Sequence, residues 1–424
     1  MRYILVLFFC FFSLGSFAQK VNVREYVRQV YDYSLDIKSS KENVDASHYL
    51  ALEAEKNFLP RLDAVVNGNY TFRDYSLGGM VTMQHYGVNA GVNLSQNIYN
   101  GSMVKHSVGA ARTQTDIARY SQLLTVENVV LAASNIYWRA VAAEAYRNVA
   151  KRYLTIIKSN YDLLNIRFKD GIAAKTDLLM MQTRLKQAEY NLTQSEKAVE
   201  QALININIFR GVDVKTEVAF ADSIIVENAA IPALKNVNDV VQNRNEFNIA
   251  NLSVNQSIAQ MKINRAKFLP ALSVGVGGTY GTRMINIDGE FVVDGSAFLK
   301  FTAPIFGWGQ KRNRRLSDQA KINSAQYNLT QTCDDITKEV NSSYVSLLES
   351  YEQLDVTSSS LDIAQQSLEL NIFSYDEGMI SVVELLSAQL SWLSAYNNKI
   401  QANLTYRVTL LAYQKALGEL MVSK

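Results

Sequence analysis

Residues 57–72 read NFLPRLDAVVNGNYTF, and two patterns meet within them. Pro60 stands at a point where a proline cannot continue the hydrogen bonding of a helix. From Leu62 onward, apolar side chains at every second position alternate with polar ones such as Asp63 and Asn67. A period of two over such a length is typical of a β-strand. The stretch therefore predicts a helix that ends at the proline and a following strand with one apolar face.

Three further stretches continue the strand pattern. Residues 86–95 read YGVNAGVNLS and residues 272–280 read LSVGVGGTY, and both alternate apolar with small or polar side chains. A shorter fourth strand is predicted to carry Ala297, Leu299 and Phe301. The loops of the two resulting hairpins are predicted over residues 73–85 and 284–295.

The chain contains one unit twice. Residues 57–60, NFLP, recur as residues 267–270, KFLP, 210 positions later. From the second strand of each hairpin onward the offset is 207, so that Gly171 corresponds to Gly378. The offset falls from 210 to 207 because the second copy is three residues shorter within a predicted loop, where length changes disturb packing least. A duplication of this length indicates the architecture before any short motif is considered.

Long helices are predicted on both sides of each hairpin. In the two copies they cover, in order, residues 23–57 and 239–267, 102–169 and 310–377, and 173–209 and 381–420. The middle pair contains no proline and one internal glycine, Gly109, so each member is expected to form a single rod of about 100 Å. Gly171 and Gly378 follow these rods, where a glycine suits the left-handed turn that ends a helix.

The repeat predicts the organisation of the chain. A signal peptide over residues 1–18 is expected from Arg2, the apolar run behind it and the small residues before Gln19. The first repeat is assigned to residues 19–236, with hairpin strands at 61–97, long helices at 102–209 and an irregular linker at 211–236. The second repeat is assigned to residues 237–424, with hairpin strands at 271–304 and long helices at 308–420.

Composition argues against several classes of protein. With 42 Lys and Arg residues against 40 Asp and Glu residues, the net charge is +2, and no general attraction to nucleic acid follows. After the predicted signal peptide Cys333 is the single cysteine, so no intrachain disulfide is expected. The three histidines lack metal-ligand spacing, and no set of nucleophile, base or metal ligands converges. We therefore expect no enzyme activity, no catalytic residue, no metal and no cofactor.

The four strands have the features of strands in a membrane. Their length suits a tilted crossing of the hydrocarbon layer, whereas no stretch after residue 18 is apolar enough for a spanning helix. Aromatic residues gather at both ends of the strands, at Tyr70, Phe72, Tyr86 and Tyr280 near the loops and at Phe58, Tyr99, Phe268, Phe306 and Trp308 near the helices. Such girdles are typical of the two interfaces of a membrane barrel. A soluble β-sandwich is the alternative for strands of this length.

Four strands are too few to close a cylinder, and within lipid every strand edge must be paired. Copies of the chain are therefore expected to complete the barrel together. Two copies would give eight strands, whose interior is filled by side chains, whereas three copies would give twelve and leave room for a water-filled lumen. A cyclic homotrimer is the smallest conducting assembly.

The duplicated hairpins and rods together resemble the TolC family of outer-membrane efflux and secretion channels. The motifs that carry the resemblance are Phe-Leu-Pro at 58–60 and 268–270, PIFG at 304–307 with Gly309, and the glycines that end the rods. The resemblance covers nearly the whole chain after the predicted signal peptide. It implies a mainly α fold with four strands per protomer, a twelve-stranded trimeric barrel in the outer membrane and an α-helical tunnel through the periplasm.

The resemblance also implies partners and a function. A periplasmic adaptor, or membrane fusion, protein would join the homotrimer to an inner-membrane transporter of the proton-driven or ABC type, and outer-membrane lipid would surround the barrel. The implied function is that of a passive conduit in a tripartite efflux or type I secretion system. An exported coiled-coil structural protein of the cell envelope is the alternative, since it would explain the rods but would not need amphipathic hairpins.

The resemblance assigns a gate to the ends of the rods. Asp177, which follows Thr176, is similar to a family aspartate that accepts hydrogen bonds from a tyrosine and an arginine, and Tyr375 is similar to that tyrosine. Ile380 stands where the arginine would be, so one charge-assisted bond of the family pattern is missing. Glu384 matches the first of two aspartates that narrow the family's entrance, and Ser387 replaces the second.

Threefold symmetry would turn Glu384 into a ring of three carboxylates, which favours cations. The alternative is that Asp177 and Glu384 stabilise the starts of their helices, where acidic side chains suit the helix dipole. Adaptor docking is expected at two small-plus-apolar pairs, Gly171 with Ile172 and Gly378 with Met379. Two roles are open for the basic residues at 311–315: contact with lipid head groups, or a solvated helix start.

Overall fold

The structure is a computed structural model and describes residues 20–73, 76–77, 81–82, 84–283 and 287–420, without the side chains of 76–77 and 81–82. The predicted signal peptide and parts of both predicted hairpin loops lie outside the described residues. The chain divides into two compact units that both draw on the two repeats. The helical unit comprises the described parts of Met1–Ile37, Thr125–Val240 and Thr337–Lys424, and the sheet unit comprises those of Lys38–Leu124 and Val241–Ile336.

The described elements alternate between helices and strands. In the first repeat they are β1 (Lys20–Val21), α1 (Val23–Tyr33), α2 (Leu35–Lys56), β2 (Arg61–Tyr70), β3 (Ser76–Leu77), β4 (Val81–Thr82), β5 (Tyr86–Asn100), α3 (Met103–Lys169), α4 (Lys175–Phe209) and β6 (Ala219–Phe220). In the second they are α5 (Val237–Asn243), α6 (Asn245–Ala266), β7 (Ala271–Thr282), β8 (Phe291–Thr302), α7 (Gln310–Asp376) and α8 (Val382–Ala416).

The sheet unit contains one four-stranded antiparallel sheet in the order β2-β5-β7-β8. Leu62 lies opposite Leu94, which in turn lies opposite Val276, so the apolar rows of successive strands share one face of the sheet. Asp63 and Asn93 are paired in the same way on the other face. The period of two therefore predicted correctly both the strands and which side chains lie on each face of the sheet, because side chains at paired positions point to the same side.

The fourth strand is longer than the sequence predicted. It begins at Phe291, so the prediction of a loop to residue 295 was wrong for its last residues. Val292 and Val293 pair with Gly281 and Tyr280 of β7 and thereby extend the ladder toward the loop. Residues 291–296 read FVVDGS, which places three apolar residues in succession and therefore lacks the period of two by which the sequence predicted the other strands.

The first helix of each repeat is broken in two, where the sequence predicted single helices over 23–57 and 239–267. Ser34 has an extended ψ of 120°, and its Oγ accepts a hydrogen bond from the Ile37 N–H at 3.3 Å, so it caps α2. Arg244, which is 210 residues later, breaks the second helix with a ψ of 140°. Neither break contains a proline or glycine, and the sequence therefore predicted a continuous helix across each of them.

The long helices are continuous. α3 and α7 each have 67 residues, and α4 and α8 each have 35. No helix among the described residues is both long and apolar enough to cross a lipid bilayer.

The core of the helical unit includes part of the linker, which the sequence predicted to be irregular. β6 pairs in parallel with β1, and Asp222 just beyond it accepts hydrogen bonds from the Tyr137 hydroxyl and from the Val23 N–H, both at 2.8 Å. Tyr137 is fully buried, and burial raises its pKa far above the ordinary value. The linker is thus fixed to the helices at this point.

Candidate functional site at the helical tips

The end of α3 forms a tight turn. The Ile172 N–H donates to the Arg167 carbonyl oxygen at 2.8 Å, and the Gly171 N–H donates to that of Phe168 at 3.1 Å. Gly171 has a φ of +75°, which completes the Schellman motif that ends many helices. A Cβ atom added at Gly171 would meet nothing within 4 Å, and Ile172 is exposed. The turn therefore presents an open apolar side chain.

The end of α7 repeats this turn. The Met379 N–H donates to the Ser374 carbonyl oxygen at 2.8 Å, and Gly378 has a φ of +74°. Met379 is exposed, and a Cβ atom added at Gly378 would meet nothing within 4 Å. The four residues predicted for adaptor docking thus form two similar turns, each with a small residue followed by an exposed apolar one.

Arg167 connects the two turns. Its Nη1 donates to the Tyr375 carbonyl oxygen at 3.1 Å, and its Nη2 donates to that of Asp376 at 2.8 Å. Its Cζ also lies 5.2 Å from the centroid of the Tyr375 ring, a cation–π distance. Because carbonyl groups at the end of a helix lack partners within it, the arginine satisfies the end of α7. The sequence interpretation missed this residue, while Ile380, where the family pattern has an arginine, packs against apolar side chains.

Tyr375 is buried, with 5% of its surface exposed. Burial raises the pKa of its hydroxyl, the charge of Asp177 adds to the rise, and the Arg167 guanidinium opposes it. The structure therefore brings Asp177 into the electrostatic surroundings of Tyr375. The hydrogen bonds of these two described residues do not include one between the Tyr375 hydroxyl and the Asp177 carboxylate. Thr176 is exposed beside them.

Asp177 and Glu384 occupy corresponding positions in the third place of α4 and α8, but their surroundings differ. Glu384 forms a capping box with Ser381: its Oε2 accepts from the Ser381 N–H at 2.8 Å, and its own N–H donates to Ser381 Oγ at 3.3 Å. The hydrogen bond from the Ser381 N–H holds the pKa of Glu384 below its ordinary value. Ala174 stands in the place of Ser381 before Asp177 and offers no side chain to cap α4. The carboxylate of Asp177 is therefore left for other contacts.

The described residues contain no group of three or more His, Cys, Asp or Glu side chains that could hold a metal ion. Cys333 is a free thiol.

Comparison with known proteins agrees with the fold and the duplication. The sequence matches the family model described as outer membrane efflux protein twice, over residues 27–209 and 236–419. Protein CyaE of Bordetella pertussis is 24% identical over 334 residues, which is 78% of this chain and 70% of CyaE. Outer membrane protein TolC of Vibrio cholerae is 21% identical, over 96% of this chain and 94% of TolC.

The fold is also that of a solved channel. The crystal structure of the Campylobacter jejuni CmeC outer membrane channel superposes with a TM-score of 0.82 at 18% identity, covering 94% of this chain and 85% of CmeC. The two family matches span the rods, the turns and the four-stranded sheet described above. The chain belongs to the outer membrane efflux protein family and has the TolC-like fold of its channels.

Proposed function

We propose that three copies of this outer-membrane efflux protein close one barrel and conduct solutes passively from the periplasm to the outside. The chain's membership of the outer membrane efflux protein family supports the outer membrane as the location of the protein and transport as its activity. The main evidence for three chains per barrel is that the sheet of a single chain has only four strands and is open.

The sheet has two edges that cannot stay unpaired in lipid. β2 and β8 are the outer strands, and within one chain each has a ladder on one side only. Exposed apolar residues such as Val66 on β2 and Val293 on β8, which is 83% exposed, support a lipid-facing surface. Unpaired backbone groups cost several kcal/mol each in hydrocarbon. Pairing of β8 with β2 of the next copy removes both edges, and three copies give twelve strands.

A second surface supports contact between copies. Val356, Ile363 and Leu370 lie seven residues apart on α7 and are 67%, 68% and 68% exposed. Leu361 and Leu368 lie on the opposite side of the same helix and are buried in the helical unit. An exposed apolar stripe with a seven-residue period is typical of a helix that packs against a partner helix. We assign this stripe to the neighbouring copy.

The helical tips supply the proposed gate and docking site. Tyr375, Asp177 and Arg167 lie at the tips of the helices and would form the gate. The exposed Ile172 and Met379 would offer apolar contacts to a periplasmic adaptor protein. An adaptor bound there would connect the trimer to an inner-membrane transporter, driven by protons or by ATP. The capping box leaves Glu384 exposed, and three copies of it would form the cation-preferring ring.

The stripe offers a direct test of the trimer. Ile363→Glu would place a charge in the contact between copies, so the detergent-solubilised protein should change from trimer to monomer in its mass measured by light scattering. Ser346→Glu adds the same charge at another exposed position of α7 and should leave the trimer intact. A wild-type protein that is monomeric in detergent and in lipid would refute the proposal and revive the coiled-coil structural alternative.

A further inference from the structure

A cavity of about 670 Å³ lies in the sheet unit, where α6 ends and α7 begins. Its lining includes five cationic side chains, Arg265, Lys311, Arg312, Arg314 and Arg315, and we call this site the basic cavity. Asp318 is the one carboxylate among the lining residues, and Phe268 and Met261 supply apolar surface. Five positive charges therefore face one negative charge.

The single carboxylate of the basic cavity already has partners within the chain. Asp318 is buried and accepts a hydrogen bond from Asn264 Nδ2 at 2.9 Å, and its Oδ1 lies 3.5 Å from Arg314 Nε. The other four cations of the basic cavity form no ion pair with an acid in the part of the chain that the structure describes. The surplus of positive charge is thus not balanced within the protomer.

The position of the cations makes this surplus unfavourable. Residues 311–315 form the first turns of α7, and no acidic residue lies in its first turn. The N-terminus of a helix carries a partial positive charge, so cations there are repelled by the helix as well as by one another. A bound anion would relieve both repulsions. This arrangement indicates a ligand with negative charge.

Two aromatic residues stand just before Gly309, which lines the basic cavity. Phe306 and Trp308 are in edge contact, with ring centroids 4.8 Å apart, and Trp308 is 87% exposed. Trp308 has a φ of +46°, a left-handed conformation that L side chains rarely adopt. The corresponding residue of the first repeat is Gly101, which adopts the same conformation without strain. An exposed tryptophan held in this way suits the membrane–water interface.

We propose that the basic cavity binds the phosphate head group of an anionic phospholipid from the periplasmic leaflet of the outer membrane. β8 ends at Thr302 and β7 begins at Ala271, so the cavity adjoins the ends of the proposed membrane strands. Arg and Lys side chains hold the phosphate, Trp308 and Phe306 lie among the head groups, and Phe268 contacts the upper acyl chain. The inference rests on the proposed barrel, whose trimer would carry three such sites.

The first repeat supplies a matched control. Its corresponding residues 104–108 read VKHSV, where the second repeat has KRNRR at 311–315. Lys105 corresponds to Arg312, whereas Lys311, Arg314 and Arg315 correspond to Val104, Ser107 and Val108. His106 stands at the position of Asn313, and its pKa is lowered by partial burial and by Lys262 and Lys105. The lipid site is therefore a property of the second repeat alone.

Lipid binding can be measured by native mass spectrometry of the full-length trimer in non-ionic detergent, titrated with phosphatidylglycerol or phosphatidylcholine. We expect about three molecules of phosphatidylglycerol per trimer and preference over phosphatidylcholine. The variant K311Q/R312Q/R315Q keeps Arg314 and its partner Asp318, and it should lower the affinity for phosphatidylglycerol about a hundredfold because three charges are lost. Lys105→Gln should bind as the wild type does.

Three outcomes would overturn the proposal: equal binding of the two lipids, unchanged binding by the triple variant, or saturation by inorganic phosphate with no added binding of lipid. Dissociation of the triple variant into monomers would instead assign the cations to acids of a neighbouring copy and also overturn it. A triple variant that still conducts as a trimer separates failure of the lipid site from failure of the proposed channel.

Fluorescence gives a second measurement that does not depend on the charge variants. Trp138 and Trp392 are buried, so Trp308 is the tryptophan open to a quencher. Phosphatidylglycerol with bromine on the upper acyl chain should quench wild-type emission more than brominated phosphatidylcholine, and Trp308→Phe should remove the difference. Equal quenching by both lipids would contradict the proposed site.

Discussion

The guanidinium of Arg167 lies 5.2 Å from the centroid of the Tyr375 ring and donates a hydrogen bond to the carbonyl oxygen of the same residue at 3.1 Å. The two residues are 208 positions apart, at the ends of the two long helices. One side chain thus joins the tips of both repeats through a ring and a backbone group. The sequence interpretation did not include Arg167 in the predicted gate.

Arg167→Gln should open the tips. Loss of the charged hydrogen bonds and of the cation–π contact removes about 1 to 2 kcal/mol, which corresponds to about tenfold in an open–closed equilibrium. Single-channel recordings should therefore show a higher open fraction. Lys169→Gln removes an exposed cation of the same turn and should leave the open fraction unchanged. Equal open fractions in Arg167→Gln and wild type would show that Arg167 does not hold the gate.

Ion selectivity should follow the charge of Glu384. Glu384→Gln keeps a side chain that can accept the Ser381 N–H bond, but it removes the proposed ring of charge and should lower cation preference at neutral pH. Reversal potentials across a salt gradient measure this preference. Unchanged selectivity would assign Glu384 to helix capping alone.

The pH dependence of that selectivity should depend on Ser381. Hydrogen bonds from Ser381 lower the pKa of Glu384, so its charge and its capping contribution are complete above the ordinary pKa and are lost as pH falls through the lowered pKa. Ser381→Ala removes the side-chain part of this effect. The variant should lose cation preference at a higher pH than the wild type in reversal potentials measured between about pH 3 and 6. The same pH dependence of cation preference in Ser381→Ala and wild type would show that the Ser381 side chain does not set the pKa of Glu384.

Docking of the adaptor should depend on the exposed tip residues. The double variant I172E/M379E places charges on both apolar turns and should abolish co-purification of the periplasmic adaptor from native membranes. Its conductance in bilayers should remain, because the turns are held by backbone hydrogen bonds. Leu179→Glu changes an exposed apolar residue of α4 and is the matched control. Adaptor recovered equally with the double variant would place docking elsewhere.

The break between α5 and α6 should be important for stability. The Arg244 side chain is buried and donates to Glu246 through Nε at 2.9 Å and Nη2 at 2.6 Å. Arg244→Met leaves the partner carboxylate partly buried without its cation, which should cost about 3 kcal/mol. Ser34→Ala at the corresponding break removes one helix cap and should cost about 1 kcal/mol. Apparent melting temperatures of the trimer should fall in that order, and an unchanged value for Arg244→Met would refute the role.

The sequence predicted the strands and the long helices because both have a strong periodicity, and it predicted the turns at Gly171 and Gly378 because a glycine marks them. The capping box of α8 was also readable, since Ser381 and Glu384 have the S-x-x-E spacing. The breaks at Ser34 and Arg244 were missed because neither residue type interrupts a helix by itself.

Other features depend on contacts that leave no local mark in the sequence. Arg167 bonds to backbone carbonyl groups 208 and 209 residues away, and a carbonyl group is present at every position. β1 and β6 have two residues each and form only through their pairing. Such long-range backbone contacts require the folded chain, whereas the side-chain pattern requires only its order.

The most direct test of the account is the current through a planar bilayer into which the purified protein has been inserted. Three chains that close one twelve-stranded barrel should insert as a trimer by mass and give discrete, uniform conductance steps that neutral polymers small enough to enter the lumen reduce. A folded protein that inserts into the bilayer and carries no current, or that conducts as a monomer, would contradict the assignment of three chains to one pore.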